Sequence, residues 1–257
     1  EGWAETEEEV LSQLQKSELH LLPAQDFDVV TPLAFIVGPS MYSLEVKDMA
    51  APTHRRFSPL NDGPLPCALR LGNGHPDGHT LLHRLTEHIG SKLAGMLSEH
   101  IPLLPILDHG LCNGDDLHGQ VAAAQEQIRT YFADSDDPET SAYLASANQF
   151  CLNIIMAAAS LMIGAGAGVA DSNMVVACGG NGQEMGYKLA SDPKTWITRP
   201  ASPPVGPKFP GQEAENALPA IGDSAVIDAL GFGAASLRKS PSLTDSYRGH
   251  IHPDYLT

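Results

Sequence analysis

The chain has 257 residues, of which 42% are hydrophobic and 18% charged, and its formal net charge is −16. These proportions are those of a globular protein, with enough chain for one large domain or two small ones. The acidic balance argues against nucleic acid as a partner, because no basic surface is available to neutralise phosphates. The four cysteines form no Cys-x-x-Cys pair and the N-terminus is acidic, which predicts reduced thiols in a cytoplasmic protein.

The N-terminal region is predicted to begin with a helix and then become extended. Residues 5–22 alternate apolar with acidic and polar positions in the manner of an amphipathic helix. We therefore expect residues 1–28 to form an acidic helix and a linker. Alternating apolar residues on both sides of Gly38-Pro39-Ser40 predict a pair of strands between Val29 and Val46.

The next region contains the densest positive charge in this acidic chain. The best local candidates for binding an anion are Arg55, Arg56 and Arg70. Surface arginines that only balance acidic neighbours would give the same sequence pattern. Between them, Asn61-Asp62-Gly63-Pro64 has the composition of a turn.

A helix is predicted from Thr80 to Leu97, where apolar residues recur every three or four positions. His79, His83 and Glu87 fall on one face of this helix at a spacing that could hold a metal. Solvated histidines are the simpler interpretation, because no general base lies between them as it does in His-Glu-x-x-His.

An acidic pair and a histidine precede the next predicted helix, which spans residues 117–132. Asp115 or Asp116 could cap that helix, because a carboxylate accepts hydrogen bonds from free N–H groups. Capping needs only one carboxylate, so two adjacent carboxylates together with His118 indicate a second role. Asp116 and His118 are therefore candidate acid/base residues, and Asp115, Asp116 and His118 together are a candidate site for a divalent metal.

The most apolar part of the chain predicts a central helix from Gln149 to Ile163, buried on nearly every side. Its length alone would suit a membrane span, but polar interruptions and the absence of close flanking cations favour a core helix. Glycines end the helix, a strand is predicted at residues 174–176, and Gly179–Gly182 is predicted as a tight turn. Because the glycines close a helix and precede a strand, their order is wrong for dinucleotide binding. Asn148 and Asn153 are predicted to face a pocket, with Asn181 and Glu184 at its rim.

The last region contains a proline-rich crossing at residues 200–210 and then a final helix. Ile221-Gly222-Asp223-Ser224 opens that helix, so Asp223 or Ser224 would cap it and its free N–H groups would suit an anion. Residues 239–257 are expected to be a polar tail. Strands do not alternate regularly with helices, which predicts a helix-rich, mixed α+β fold with short strands around the buried helix, neither Rossmann nor TIM barrel.

Five phrases together carry a resemblance to a known family. They are Asn61-Asp62-Gly63 with Arg70, Gly114-Asp115-Asp116-x-His118, Asn148-x-Phe150-x-x-Asn153, Asn181-Gly182-x-Glu184 and Ile221-Gly222-Asp223-Ser224. In this order they resemble the YlbE-like family, with residues 29–238 as its domain. A His-Ala-Gly-Pro-Pro phrase of longer family members is absent, which implies that the chain matches their later part. Family members usually carry Arg where this chain has Gly180, so the implied anion site lacks one guanidinium.

The resemblance implies an oligomeric subunit beside an FdrA-like partner, linked to oxamate carbamoyltransferase in purine and allantoin catabolism. Its substrates would be oxamate or oxalurate and carbamoyl phosphate, without nucleic acid or membrane. Carbamoyl transfer needs cationic groups, amide donors and an acid/base. We assign the cationic or anion-binding groups to Arg55, Arg70 and the Asp223-Ser224 turn. The amide donors would be Asn61, Asn153 and Asn181. The acid/base would be Asp116 or His118. The alternatives are a non-catalytic assembly subunit and a metal-dependent hydrolase that uses Asp115, Asp116 and His118.

Overall fold

The computed structural model describes residues 2–31, 36–60, 67–68, 74–132, 135–205 and 217–250. The described helices are α1 (Glu7–Gln15), α2 (Gly78–Arg84), α3 (Gly90–Met96), α4 (Leu103–Cys112), α5 (Ala122–Arg129), α6 (Pro138–Ser146), α7 (Phe150–Gly164), α8 (Ala225–Leu230) and α9 (Pro241–Tyr247). The described strands are β1 (Ser43–Lys47), β2 (Arg55–Pro59), β3 (Val175–Asn181), β4 (Glu184–Leu189), β5 (Asp192–Pro200) and β6 (Ile221–Gly222). A π-helical segment, Leu85–Ile89, joins α2 to α3, and a 3-10 helix, Gly233–Lys239, precedes α9.

Helix α7 is the centre of the core, which confirms the predicted buried helix. Every residue from Phe150 to Ser160 is buried, because small and apolar side chains on all faces let neighbours approach from every side. The ring of Phe150 packs edge-on against Phe132 and Tyr143, with centroids 5.6 and 6.1 Å away. Strands β1 and β2 contact α7, and so do α8 and β3.

Two small antiparallel sheets flank this helix. One contains β1 and β2, and the other has the order β5-β4-β3-β6. Short strands around a buried helix confirm the predicted fold class, and the described strands form neither a doubly wound parallel sheet nor a closed barrel. Among the described residues no single helix is both long and apolar enough to cross a membrane; only α6 and α7 together, bent by 69°, meet that length and composition.

The structure adds one strand pair and corrects one predicted turn. Strand β1 pairs with β2, whereas the strand predicted before Gly38 falls largely on residues 32–35, which lie outside the described part. Strand β3 continues through Gly179 and Gly180 to Asn181, so the predicted turn is in fact the end of a strand. The reason is close approach: a Cβ on Gly180 would lie 2.7 Å from the Ala220 carbonyl oxygen.

Three predicted helical or tail boundaries also change. The first helix covers only residues 7–15, and none of its residues is buried. Helix α5 begins at Ala122 rather than Leu117, because Leu117 adopts a left-handed backbone with φ of 64°. Within the predicted polar tail, residues 241–247 form α9, and Thr244 Oγ1 donates a hydrogen bond to the Leu237 carbonyl.

Candidate functional site

Asp115 is a buried carboxylate that stabilises the start of α5. Its oxygens accept hydrogen bonds from the backbone N–H groups of Ala123 (3.2 Å) and Ala124 (2.8 Å). Burial raises the pKa of Asp115, and these N–H donors oppose that rise. Its position thus resembles the capping role that the sequence suggested, although the carboxylate reaches the helix from several residues upstream.

Asp116 holds the loop between α4 and α5 in shape. Its Oδ1 accepts hydrogen bonds from the backbone N–H groups of His118 (3.0 Å) and Gln120 (2.7 Å). Its own carbonyl oxygen accepts from the Gly233 N–H (2.7 Å) and from Ser236 Oγ (2.9 Å). The loop is therefore attached to the segment that follows α8, and His118 is carried on a fixed backbone.

His118 lies beside Asp228 of α8, with its Nδ1 atom 2.9 Å from Asp228 Oδ2. The two side chains are 28% and 38% exposed, so a small molecule can reach the pair. The hydrogen bond to Asp228 raises the pKa of His118, and the charges of Asp228 and Asp116 raise it further, against the opposing effect of burial. Burial raises the pKa of Asp228, but hydrogen bonds from His118 and the Ala234 N–H outweigh it and leave that pKa lowered. The site thus places an imidazole and a carboxylate in hydrogen-bonding contact, an arrangement suited to proton transfer.

Asp223 and Ser224, predicted to cap the last helix, have different surroundings. Asp223 Oδ2 accepts from the Thr31 N–H (3.2 Å) and the Thr31 hydroxyl (3.4 Å), and burial raises the pKa of Asp223. Ser224 stands at the start of α8, but its side chain makes no capping hydrogen bond. Asp223 therefore ties the N-terminal segment to the β6–α8 connection.

Two residues missed by the sequence reasoning join this segment to β3. The side chain of Gln25 donates to the Cys178 carbonyl (2.8 Å) and accepts from the Cys178 N–H (3.3 Å). Burial raises the pKa of the Cys178 thiol to about 12, helped by the charges of Asp223 and Asp228. This cysteine is therefore protonated and unsuited to act as a nucleophile.

The predicted rim of asparagines does not form a single site. Asn153 is fully buried on α7, whereas Asn148 is exposed. Asn181 Oδ1 accepts hydrogen bonds from the N–H groups of Gln183 and Glu184, so it stabilises the β3–β4 turn. The Glu184 carboxylate accepts from the Thr198 hydroxyl on β5 (3.1 Å).

The predicted cationic residues also have partners elsewhere. Arg55 pairs with Glu45 (3.4 Å) and lies over the Phe57 ring. Arg56 pairs with Asp28 (2.7 Å) and donates to Ser160 Oγ at the edge of α7. None of these contacts involves the loop that carries His118. The other two predicted substrate-binding residues, Asn61 and Arg70, lie outside the described residues.

The candidate metal ligands are not grouped for coordination. Across the described part of the chain, no three His, Cys, Asp or Glu side chains lie close enough together to hold a metal ion. Asp115 and Asp116 accept from backbone N–H groups instead. On α2, His83 contacts Glu87 (3.2 Å) with both side chains exposed.

A separate groove of about 1410 Å³ lies between β1, α3, α4 and the second half of α7. Its floor is apolar and its edge carries Arg56, His54 and His100. It exceeds the usual volume of a small-molecule pocket, and neither His118 nor Asp228 lines it. The groove is therefore distinct from the His118–Asp228 pair.

Asp228, Gly233 and Ser236 are the residues of the pair's surroundings that the sequence did not reveal. The only signal was the glycine-rich run after α8, because glycine close to charged residues can mark tight backbone packing. No spacing rule links Asp228 to His118, since they come from distant parts of the chain.

Two comparisons with known proteins indicate the same family. The family described as Oxamate carbamoyltransferase subunit AllG matches residues 19–224. The protein of that name from Escherichia coli (strain K12) is 28% identical over 256 residues, which cover 95% of this chain and 61% of that protein. The uncharacterized protein YahG of the same organism is 25% identical over 263 residues, covering 98% of this chain and 55% of that protein.

A solved structure has the same fold. The crystal structure of a conserved protein of unknown function from Enterococcus faecalis V583 superposes with a TM-score of 0.77 at 26% identity, covering 84% of this chain and 54% of that one. The chain thus spans between about half and three fifths of the length of these relatives. The predicted link to oxamate carbamoyltransferase is confirmed at the level of a subunit family, under the name AllG rather than YlbE-like. The matched range includes the loop of Asp115, Asp116 and His118, and the chain belongs to the family of oxamate carbamoyltransferase subunits AllG.

Proposed function

We propose that this protein is a subunit of an oxamate carbamoyltransferase that converts oxalurate and phosphate into oxamate and carbamoyl phosphate. In this reaction a phosphate oxygen bonds to the ureido carbonyl carbon of oxalurate. The bond from that carbon to the oxamate nitrogen breaks, and the nitrogen takes up a proton as oxamate leaves. The proposal draws on the family match and on the chemistry of the His118–Asp228 pair.

The observation that carries the proposal is the close contact between the His118 imidazole and the Asp228 carboxylate. The leaving nitrogen needs a general acid, and a partly exposed imidazole whose pKa is raised by a neighbouring carboxylate is suited to that role. Asp116 supports this role through the backbone N–H of His118.

The other predicted substrate-binding residues fall into two groups. Asn61 and Arg70 keep their assigned roles as an amide donor and an anion-binding cation. Asn181 and Asp223 are less suited to substrate binding, because their described side-chain oxygens accept hydrogen bonds within the protein. Arg55 is likewise paired with Glu45.

Replacing the imidazole tests this function. The variant His118→Asn in the complete protein, assembled with its FdrA-like partner, should lose about 10²- to 10⁴-fold in kcat for oxalurate phosphorolysis, the usual contribution of a general acid. The measurement is carbamoyl phosphate formed at saturating oxalurate and phosphate. His83→Asn is the matched control, since His83 is exposed on α2, and it should keep full kcat. A fully active His118→Asn complex would contradict the proposal.

A second candidate function is assembly without catalysis. It is favoured by α1, an acidic helix whose residues are all at least partly exposed and include Val10 and Leu11. An acidic face with exposed apolar residues suits a basic partner surface. Deleting residues 2–15 would then abolish co-purification with the partner, while His118→Asn would not reduce turnover by the complex.

A further inference from the structure

The carboxylate of Asp228 determines how His118 is presented. We propose that Asp228 is a positioning residue that fixes the tautomer and orientation of the His118 imidazole, so that Nε2 is the nitrogen that faces the substrate. This inference rests on the proposed function, because it assigns a role in the same proton transfer.

The contact with Asp228 determines the tautomer of His118. Asp228 Oδ2 lies 2.9 Å from His118 Nδ1, and an ionised carboxylate can only accept a hydrogen bond. Nδ1 must therefore carry hydrogen in both the charged and the neutral imidazole. The exchangeable proton is then the one on Nε2, which leaves with the substrate nitrogen and returns on the next turnover.

Asp228 is itself held in place by the surrounding backbone. Its other oxygen, Oδ1, accepts the backbone N–H of Ala234 at 2.9 Å. The neighbouring residues Val226 and Ile227 are fully buried, so the helix that carries Asp228 is anchored in the core. The carboxylate consequently cannot turn away from the imidazole without breaking a backbone hydrogen bond.

Gly233 packs closely against both His118 and Asp228. A Cβ on this glycine would lie 2.5 Å from Asp228 Oδ1 and 2.9 Å from His118 Nδ1. Gly233 also has φ of 58° and donates its N–H to the Asp116 carbonyl. The pair is thus enclosed by backbone from two distant segments, unlike an ordinary surface ion pair such as Arg248–Asp245, whose side chains are 71% and 68% exposed.

The expected consequence is a change in both tautomer and rate when Asp228 is replaced. Loss of the correct tautomer of a catalytic histidine can lower kcat by up to about 10⁴-fold, so Asp228→Ala should lower kcat by about 10- to 10⁴-fold and change KM by less than about threefold. Asp228→Asn has a single side-chain oxygen, which the Ala234 N–H occupies, so its NH2 group faces Nδ1 and the variant should lose at least as much of the rate. Asp245→Ala is the matched control and should keep full activity.

The experiment uses the complete protein with its partner and ¹⁵N-labelled histidine. Two-bond ¹H–¹⁵N correlation spectra above the pKa of His118 report which ring nitrogen carries hydrogen. We expect the Nδ1–H tautomer in the unmodified protein, the Nε2–H tautomer in Asp228→Asn, and a mixture of the two in Asp228→Ala. Asp228→Asn also provides the test if Asp228→Ala does not fold, because this amide keeps the shape of the carboxylate: a lower kcat with the Nε2–H tautomer supports orientation by the carboxylate, and an unchanged kcat and tautomer contradict it.

Two results would overturn the inference. One is an unchanged tautomer with full kcat in Asp228→Ala; the other is a loss of kcat in Asp228→Ala with the Nδ1–H tautomer retained. Failure of the proposed function looks different, since His118→Asn would then remain active whatever the tautomer of His118.

Discussion

Three aspartates close to the site have distinct roles that their local sequence does not distinguish. Asp115 accepts from the first N–H groups of α5, Asp116 fixes the loop, and Asp228 binds His118. A capping carboxylate could be predicted from sequence, because free N–H groups at a helix start attract one. The pairing of Asp228 with His118 could not, because it depends on how α8 packs on α7.

The shifted pKa values of His118 and Asp228 should make stability depend on pH in a defined window. The folded pKa of His118 is raised, so its contribution is fully present below the ordinary value of about 6.5 and is lost as pH rises through the folded value. The folded pKa of Asp228 is lowered, so its contribution is present above the ordinary value of about 3.9 and is lost as pH falls through the folded value.

The difference in Tm between the unmodified protein and Asp228→Asn should therefore be largest between about pH 4 and 6.5 and should shrink toward pH 9. Thermal unfolding followed by circular dichroism across that range measures it. Asp116 also acts on His118, and it is unchanged in both proteins. A Tm difference that does not vary with pH would show that the pair is not ionised as described.

At the scale of elements, composition predicted α7 and misplaced the end of β3. A run of small and apolar residues without charge has few alternatives to a buried helix. Paired glycines, however, suit either a turn or a strand that another backbone approaches closely. In β3 the second applies, because Gly180 pairs with Met185 on one side and Gly222 on the other.

Gly180→Ala should destabilise the protein for that reason. Its Cβ would meet the Ala220 backbone, which cannot move aside as a flexible side chain can, and overpacking of this kind costs about 1–3 kcal/mol. Urea unfolding measures the free energy of unfolding. Gly95→Ala is the matched control: Gly95 lies in α3 with no atom within 4 Å of an added Cβ, so the change should stabilise by about 0.5–1 kcal/mol. Equal effects at both positions would contradict the described packing.

At the scale of the whole molecule, the fold class and the family association could be predicted, but the assembly of the site could not. One dominant core helix and irregularly spaced short strands sufficed for the fold class. The phrases that carry the resemblance include residues with structural contacts, such as Asn181 in a turn and Asp223 against Thr31. The site combines a loop before α5, a residue of α8 and the segment after it, and no periodicity brings these together.

The formal charge of −16 limits how an anionic ligand could bind to this protein. A small anion approaching an acidic protein needs a local cation, and long-range attraction cannot supply one. His118 is paired with Asp228 and therefore adds no unpaired positive charge, but its other ring nitrogen is left to form a hydrogen bond with a ligand.

The most direct test of the central claim is whether oxamate contacts His118. The complete protein, labelled with ¹⁵N-histidine and assembled with its partner, is titrated with oxamate while the ring signals of its histidines are followed. The His118 signal is assigned by its absence in His118→Asn. The account predicts a saturable shift of the His118 ring signals with no change at the exposed His83. Oxamate binding that is measurable by calorimetry but leaves His118 unshifted would contradict it.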